Sequence, residues 1–290
     1  MLVDQAPRFS ALAAIIIAAA FALFSPSTAR AEIVRDFGFE LKNPMANGAY
    51  TVVFSERSSD TTGAPVPPLT RYSLRFPRGM SIRREALTKR LLCDPEKLRR
   101  FKNTRVCRRA QIGAGRAEAE LLSSNDQRVL SAPIPSNLYL FLAKPTARGS
   151  VATMLMLVIP DASAPIVKTI PNIRNTRLVG EAPFFNDPTA DGQFGYRMEL
   201  PPAIGGLRYN ILEGKYSFHG VTLTKRVRGC RGSRQVPRCR RARVRRKRVF
   251  WLTQPKCPAS NQLAFQATYN YAVLPSLALT REIPCPSFSP

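Results

Sequence analysis

One histidine serves the whole chain. His219 would therefore have to be the base of any serine or cysteine triad. It lies in Tyr216-Ser217-Phe218-His219-Gly220, with no serine in a G-x-S-x-G frame and none followed three residues later by lysine. Among the carboxylates, Glu118 and Glu120 stand at i and i+2 beside Arg116. Such a pair is what glycoside hydrolysis uses, but the alternating Ala and Leu beside it read as a solvated strand face carrying a charge ladder. Asn186, Asp187 and Asp191 offer oxygens for calcium. However, Asp187-Pro188 and Asp191-Gly192 are ordinary turn pairs, and their spacing fits no EF-hand loop. Gly113-x-Gly115 lacks the third glycine and the following helix of a nucleotide fingerprint. No cofactor is expected.

The cysteines suggest crosslinks instead. Cys93, Cys107, Cys230, Cys239, Cys257 and Cys285 are even in number, and six allow 15 pairings. Proximity favours Cys93–Cys107, Cys230–Cys239 and Cys257–Cys285, each bracketing one local excursion. Zinc is a poor competitor, with no C-x-x-C and a single histidine. Oxidation requires export, and the N-terminus supplies the signal. Ala11 to Phe24 is a run of 14 apolar residues, short of the about 20 that span a bilayer. Arg8 precedes it, and Ala29-Arg30-Ala31 presents small residues at −3 and −1. Residues 1–31 therefore read as a signal peptide cut between Ala31 and Glu32, leaving a secreted or extracytoplasmic domain over 32–290.

The elements that must carry these residues are mostly strands. Period-two alternation marks Tyr50 to Phe54, Tyr72-Ser73-Leu74-Arg75-Phe76, Phe194 to Leu200 and Leu263 to Tyr271. Leu138 to Ala143 and Val151 to Ile159 are more uniformly apolar, as strands buried on both faces are. The 25 prolines argue against long helices. One short helix is expected from Asp94-Pro95-Glu96, an N-cap followed by Pro and an acid in the first turn, running to Phe101. Residues 57–69, rich in Ser, Thr and Pro, read as a long surface loop. The expected fold is all-β: an antiparallel β-sandwich, immunoglobulin-like or jelly-roll-like, with one helical excursion near 95–101.

Phe76-Pro77-Arg78-Gly79-Met80, the pair Cys93 and Cys107, and Ile112-Gly113-Ala114-Gly115-Arg116-Ala117 together resemble a group of secreted actinobacterial β-rich proteins. There an LP-x-G strand end leads through two cysteines to an (I/V)-G-x-G-x-A strand start. Cys257-Pro258 and Pro284-Cys285 look like the second cysteine pair of that group. The resemblance implies a secreted β fold and brings no activity with it.

The strongest single feature is electrostatic. The chain carries a formal charge of +25, and from Lys225 to Arg248, 13 of 24 residues are basic and none is acidic. Arg238, Arg240, Arg241, Arg243, Arg245, Arg246, Lys247 and Arg248 form its densest part and are the candidate anion-binding residues. Like charges at this density repel and must stay solvated, so the segment reads as an Arg-rich insertion at 225–248. An exported polycation meets anionic envelope polymers or anionic lipid surfaces, and would bind nucleic acid non-specifically in vitro. The sequence thus points to a non-catalytic protein associating with an anionic envelope component. The alternative is an envelope hydrolase whose site matches no known pattern.

Overall fold

The computed structural model describes residues 33–43, 49–63, 66–88, 91–122, 128–130, 132–170, 172–219, 221–231, 238–249, 251–254, 256–272 and 274–286, with backbone alone at 84–85 and 221–248. The segment read as a signal peptide lies outside the described residues. In chain order the strands are β1 (Ile33–Lys42), β2 (Thr51–Asp60), β3 (Leu69–Pro77), β4 (Ser81–Ile82), β5 (Gln111–Leu122), β6 (Ile134–Ala143), β7 (Ser150–Pro160) and β8 (Leu178–Asn186). There follow β9 (Phe194–Leu200), β10 (Ala203–Ile204), β11 (Leu207–Phe218), β12 (Val221–Arg231), β13 (Arg238–Val249), β14 (Leu252–Thr253), β15 (Gln262–Tyr271) and β16 (Leu277–Pro284). Among the described residues helices are short: α1 (Pro95–Phe101) and α2 (Pro165–Thr169), plus short stretches of 3-10 helix.

Twelve strands form one antiparallel sheet in the order β1-β2-β11-β5-β6-β7-β8-β9-β3-β15-β16, with β10 paired to β11. The sheet is nearly closed. Its first and last strands meet through Arg281, whose Nε donates to the Phe37 carbonyl at 2.9 Å and whose Nη2 pairs with Asp36 at 2.9 Å. The antiparallel, helix-poor part of the sequence expectation holds in this arrangement.

Alternation decides which side chains fill the interior. Val52 and Phe54 on β2, Tyr72, Leu74 and Phe76 on β3, and Phe265, Ala267 and Tyr269 on β15 are all buried. Their sequence neighbours Arg71 and Arg75 turn outward toward Glu199 and Asp187. The rings of Phe39 and Phe265 stack at 4.0 Å, and those of Tyr72 and Tyr269 at 4.8 Å. Residues 57–60, expected in a loop, belong instead to β2 and pair with 33–36 of β1. Their polar composition is satisfied in place, since the buried Ser58 hydroxyl donates to the Ile211 carbonyl.

On β6 and β7 both faces are covered, as their unbroken apolar runs imply. Outside them, α1 and the Cys93–Cys107 disulfide (Cα–Cα 5.0 Å) pack Leu98 and Ala110 onto Phe141, Leu155 and Leu157. The helix starts as its sequence dictates: Asp94 accepts from the Glu96 and Lys97 amides at 3.1 and 3.3 Å. Gly113 and Gly115 have a steric purpose. A Cβ on either would stand 2.1 Å from Ser217 O or 2.3 Å from Lys215 O, so only glycine lets β5 lie this close to β11.

One correction concerns charge. Glu120 does not share a solvated face with Glu118: it is buried and paired with Arg128, because residues 128–130 fold back along the end of β5. The basic segment is arranged as a hairpin, β12 against β13.

Candidate functional site

The strands of the large sheet begin and end at two opposite ends of it. At one end, the loop end, lie Asp60 and Leu69, Leu122 and Ile134, Pro160 and Leu178, Leu200 and Leu207, and Tyr271 and Leu277, together with Ile33 at the start of β1. At the other, residues 77–88, 91–92, 249 and 251–254 cover the opening, with Met80, Ala86, Leu91, Val249, Trp251 and Leu252 buried in the core. Trp251, 1% exposed, is the keystone there: its indole stands edge-on to Phe184 at 5.2 Å and near Phe218 at 6.3 Å. Its carbonyl accepts from the Arg83 amide, and the Gln254 side chain donates to the carbonyls of Arg78 and Lys256. This end is closed.

Between the ends runs an apolar cavity of about 320 Å3. Ala117, Ala119 and Leu121 of β5, Leu138 and Leu140 of β6, and Met154 and Met156 of β7 form much of its wall. Phe54, Tyr216 and Phe218 stand deep within it, while Val129, Ile170 and Ile173 line it at the end of the loops. The deep residues are buried and Val129 is exposed, so among the described residues the cavity opens toward the loop end. Four lining residues carry hydroxyls, and all are already engaged. Ser136 donates to Ile134 O, Thr176 to Asn172 O, Tyr209 to Pro201 O and Tyr216 to Glu56. The wall therefore presents almost nothing to a hydrophilic ligand.

Beside the cavity lies a buried polar cluster. Glu56, 5% exposed, accepts from the Tyr72 hydroxyl at 2.8 Å and from Tyr216 at 3.1 Å. Arg35 donates to the Tyr271 hydroxyl at 2.7 Å and stacks over the Tyr269 ring at 4.4 Å. Burial pushes the Glu56 carboxyl above its ordinary range, against the opposing pull of the two hydroxyls and Arg35. The sequence reading passed over Glu56. The one signal for it was its position, an acid in the inward slot of Val52-x-Phe54-x-Glu56-x-Ser58.

The residues singled out from sequence do not converge on this cavity. His219 sits at the closed end, its backbone amide bonded to Ile112 O. Glu118 is exposed on the outer face. Asp187 is held between Arg75 and Arg197, and Asp191 accepts from Thr189 and Gln193 within a turn. Cys257–Cys285 is formed, with Cα atoms 5.8 Å apart, and ties the start of β15 to the end of β16. In the hairpin, Cys230 stands directly opposite Cys239 in register, and Arg238, Arg240, Arg243, Arg245, Arg246, Lys247 and Arg248 all pair with β12. The side chains of these hairpin residues, Arg241 included, lie outside the described ones.

No protein-family model, curated protein or solved structure matches this chain. Among the described residues no helix is long and apolar enough to cross a membrane. The two disulfides suit an oxidising compartment.

Proposed function

We propose that this is an exported, non-catalytic binding protein that holds the acyl chain of an amphiphile inside a barrel-like, rather than sandwich-like, sheet. The observation that carries the reading is the apolar cavity, bounded at the closed end by Phe218, against which Trp251 stands, and open at the loop end. At roughly 24 cal/mol per Å3 of cavity, a void of this volume forgoes on the order of 8 kcal/mol of packing. That rivals the whole stability of an ordinary domain, about 5–15 kcal/mol. Filling the space with an apolar chain recovers much of the loss, and apolar cavities take such ligands in preference to water. A single strand path whose edges meet at Arg281 supports the barrel-like description.

The only tryptophan of the chain reports on the closed end. Titration with a fatty acid brominated at its methyl end should quench Trp251 saturably. Bromine beside the carboxylate should quench it much less, because the polar end stays at the opening. Equal quenching by both, or none that saturates, would defeat the proposal.

A second reading is favoured by the hairpin: association with an anionic envelope polymer or lipid surface through its arginines. Register sets Lys225 against Arg245 and Arg231 against Arg238, and no acid lies between 225 and 248 to neutralise them. Neutralising Arg240, Arg241, Arg245, Arg246 and Arg248 together should abolish retention on an anionic polymer. Wild-type retention should fall steeply with salt through counterion release. A variant retained as well as wild type would remove this reading.

A further inference from the structure

The open end differs from the rest of the surface. Among the described residues the exposed large hydrophobic side chains are Val34, Phe101, Val106, Val129 and Leu274. Three of them, Val34 at 49%, Val129 at 54% and Leu274 at 38%, stand at the loop end. They come from chain segments far apart in sequence, the start of β1, the β5–β6 connection and the β15–β16 turn. Their gathering there is a property of the fold, and Val129 is also part of the cavity wall.

Cations share that end of the fold, on one connection. Lys168 and Arg174 are exposed on the connection between β7 and β8, and Arg177 follows at the foot of β8. The acid of that connection, Asp161, is turned to its own backbone, accepting from the Ser163 amide at 3.0 Å and hydroxyl at 2.7 Å. The rim thus combines apolar side chains that gain by leaving water with cations placed to meet an anionic plane. A bilayer bearing anionic headgroups offers both partners at once, whereas a soluble polyanion offers only one.

We propose that the loop-end rim docks on an anionic lipid bilayer, so that an acyl chain passes between membrane and cavity without crossing water. This rests on the acyl-chain reading above, and it goes beyond it by naming the membrane as the source or destination. The hairpin, which leaves the sheet after Phe218 and returns at Trp251, belongs to the closed end and would face away from the docked membrane.

The test uses the full chain with its hairpin arginines Arg240, Arg241, Arg245, Arg246 and Arg248 neutralised, so that vesicle binding does not come from the polycation. In that background Val129→Trp is combined with Trp251→Phe. Phosphatidylglycerol vesicles should blue-shift the rim tryptophan, while phosphatidylcholine vesicles should shift it little. Adding Lys168→Gln and Arg174→Gln should weaken partitioning on the order of tenfold, given the attraction each cation contributes near an anionic surface. The absence of a blue shift with phosphatidylglycerol overturns the proposal, as does an equal response to soluble polyphosphate. Quenching of Trp251 by brominated fatty acid, measured without vesicles in the protein that keeps Trp251 and Val129, separates the two claims. Quenching without rim insertion defeats the docking alone, and loss of quenching defeats the cavity reading itself. Should the rim tryptophan perturb folding, co-sedimentation with phosphatidylglycerol vesicles replaces it, comparing proteins with and without Lys168→Gln/Arg174→Gln. Weakened sedimentation of the doubly substituted protein supports the docking, and unchanged sedimentation overturns it.

Discussion

Truncation of Trp251 to alanine probes the seal at the closed end. The side chain is 1% exposed and edge-on to Phe184 at 5.2 Å, with Phe218 at 6.3 Å. Truncating a buried tryptophan costs roughly 3–5 kcal/mol. Edge-on aromatic pairing adds about 1 kcal/mol beyond the area buried and forms part of that loss. Against a total of about 5–15 kcal/mol, the Trp251→Ala protein should remain folded but with its urea midpoint sharply lowered. Trp251→Phe, which keeps an aromatic edge toward Phe184, should lose distinctly less. Far-UV circular dichroism must follow both transitions, because each substitution removes the only tryptophan. An alanine variant within about 1 kcal/mol of wild type at unchanged slope would refute the reasoning, since a packed keystone cannot be removed so cheaply.

Three further outcomes are expected. Replacing Cys93 and Cys107, which lie 14 residues apart, or Cys257 and Cys285, 28 apart, should cost roughly 3 kcal/mol in each case through loop entropy restored to the unfolded chain. Urea melts of the two double-alanine proteins check this, and a loss near zero would contradict it. The raised Glu56 carboxyl means that the folded chain holds a proton which the unfolded chain releases. Its contribution to stability is thus full below the ordinary value of 4.5 and declines as pH rises toward the folded value. Glu56→Gln should lack that decline, so melts across the acid-to-neutral range should show the wild type losing ground to the variant, and a pH-independent difference would count against the assignment. Neutralising the five hairpin arginines should leave stability within about 1 kcal/mol of wild type, since like charges in solvent contribute little to folding. A variant that unfolds would mean that those side chains pack against the sheet.

Much of the fold was legible because its physics is local. Alternation in Tyr72-Ser73-Leu74-Arg75-Phe76 and Leu263 to Tyr271 told inward from outward residues, and burial follows it except at Ser73 and Ala264, which are buried as well. Asp94-Pro95 announced a helix start, and its capping hydrogen bonds are present. Two cysteine pairs followed from short separations alone. Errors arose where a distant segment overrode a local tendency. Residues 57–60 have loop composition, yet β1 offers them a ladder and Ile211 a carbonyl for Ser58. Glu120 looks solvated until 128–130 return to cover it and bring Arg128.

The cavity was illegible for a related reason. It is not encoded by any residue with chemistry of its own but by an imbalance of side-chain volume around the interior. On β1, β2, β3 and β15 the inward positions hold Phe37, Phe39, Phe54, Tyr72, Phe76, Phe265 and Tyr269, whose rings stack or meet edge-on. The facing strands β5 and β7 place Ala117, Ala119, Met154 and Met156 inward. Alanine leaves space, and methionine, unbranched and adaptable, yields to whatever enters. Each of these residues alone reads as ordinary core. Only the strand order, which sets the small residues of β5 and the flexible ones of β7 across from the aromatic wall, turns the deficit into one continuous chamber. A site of this kind is specified by what the interior omits, so a search of the sequence for paired acids, histidines or glycine loops passes over it.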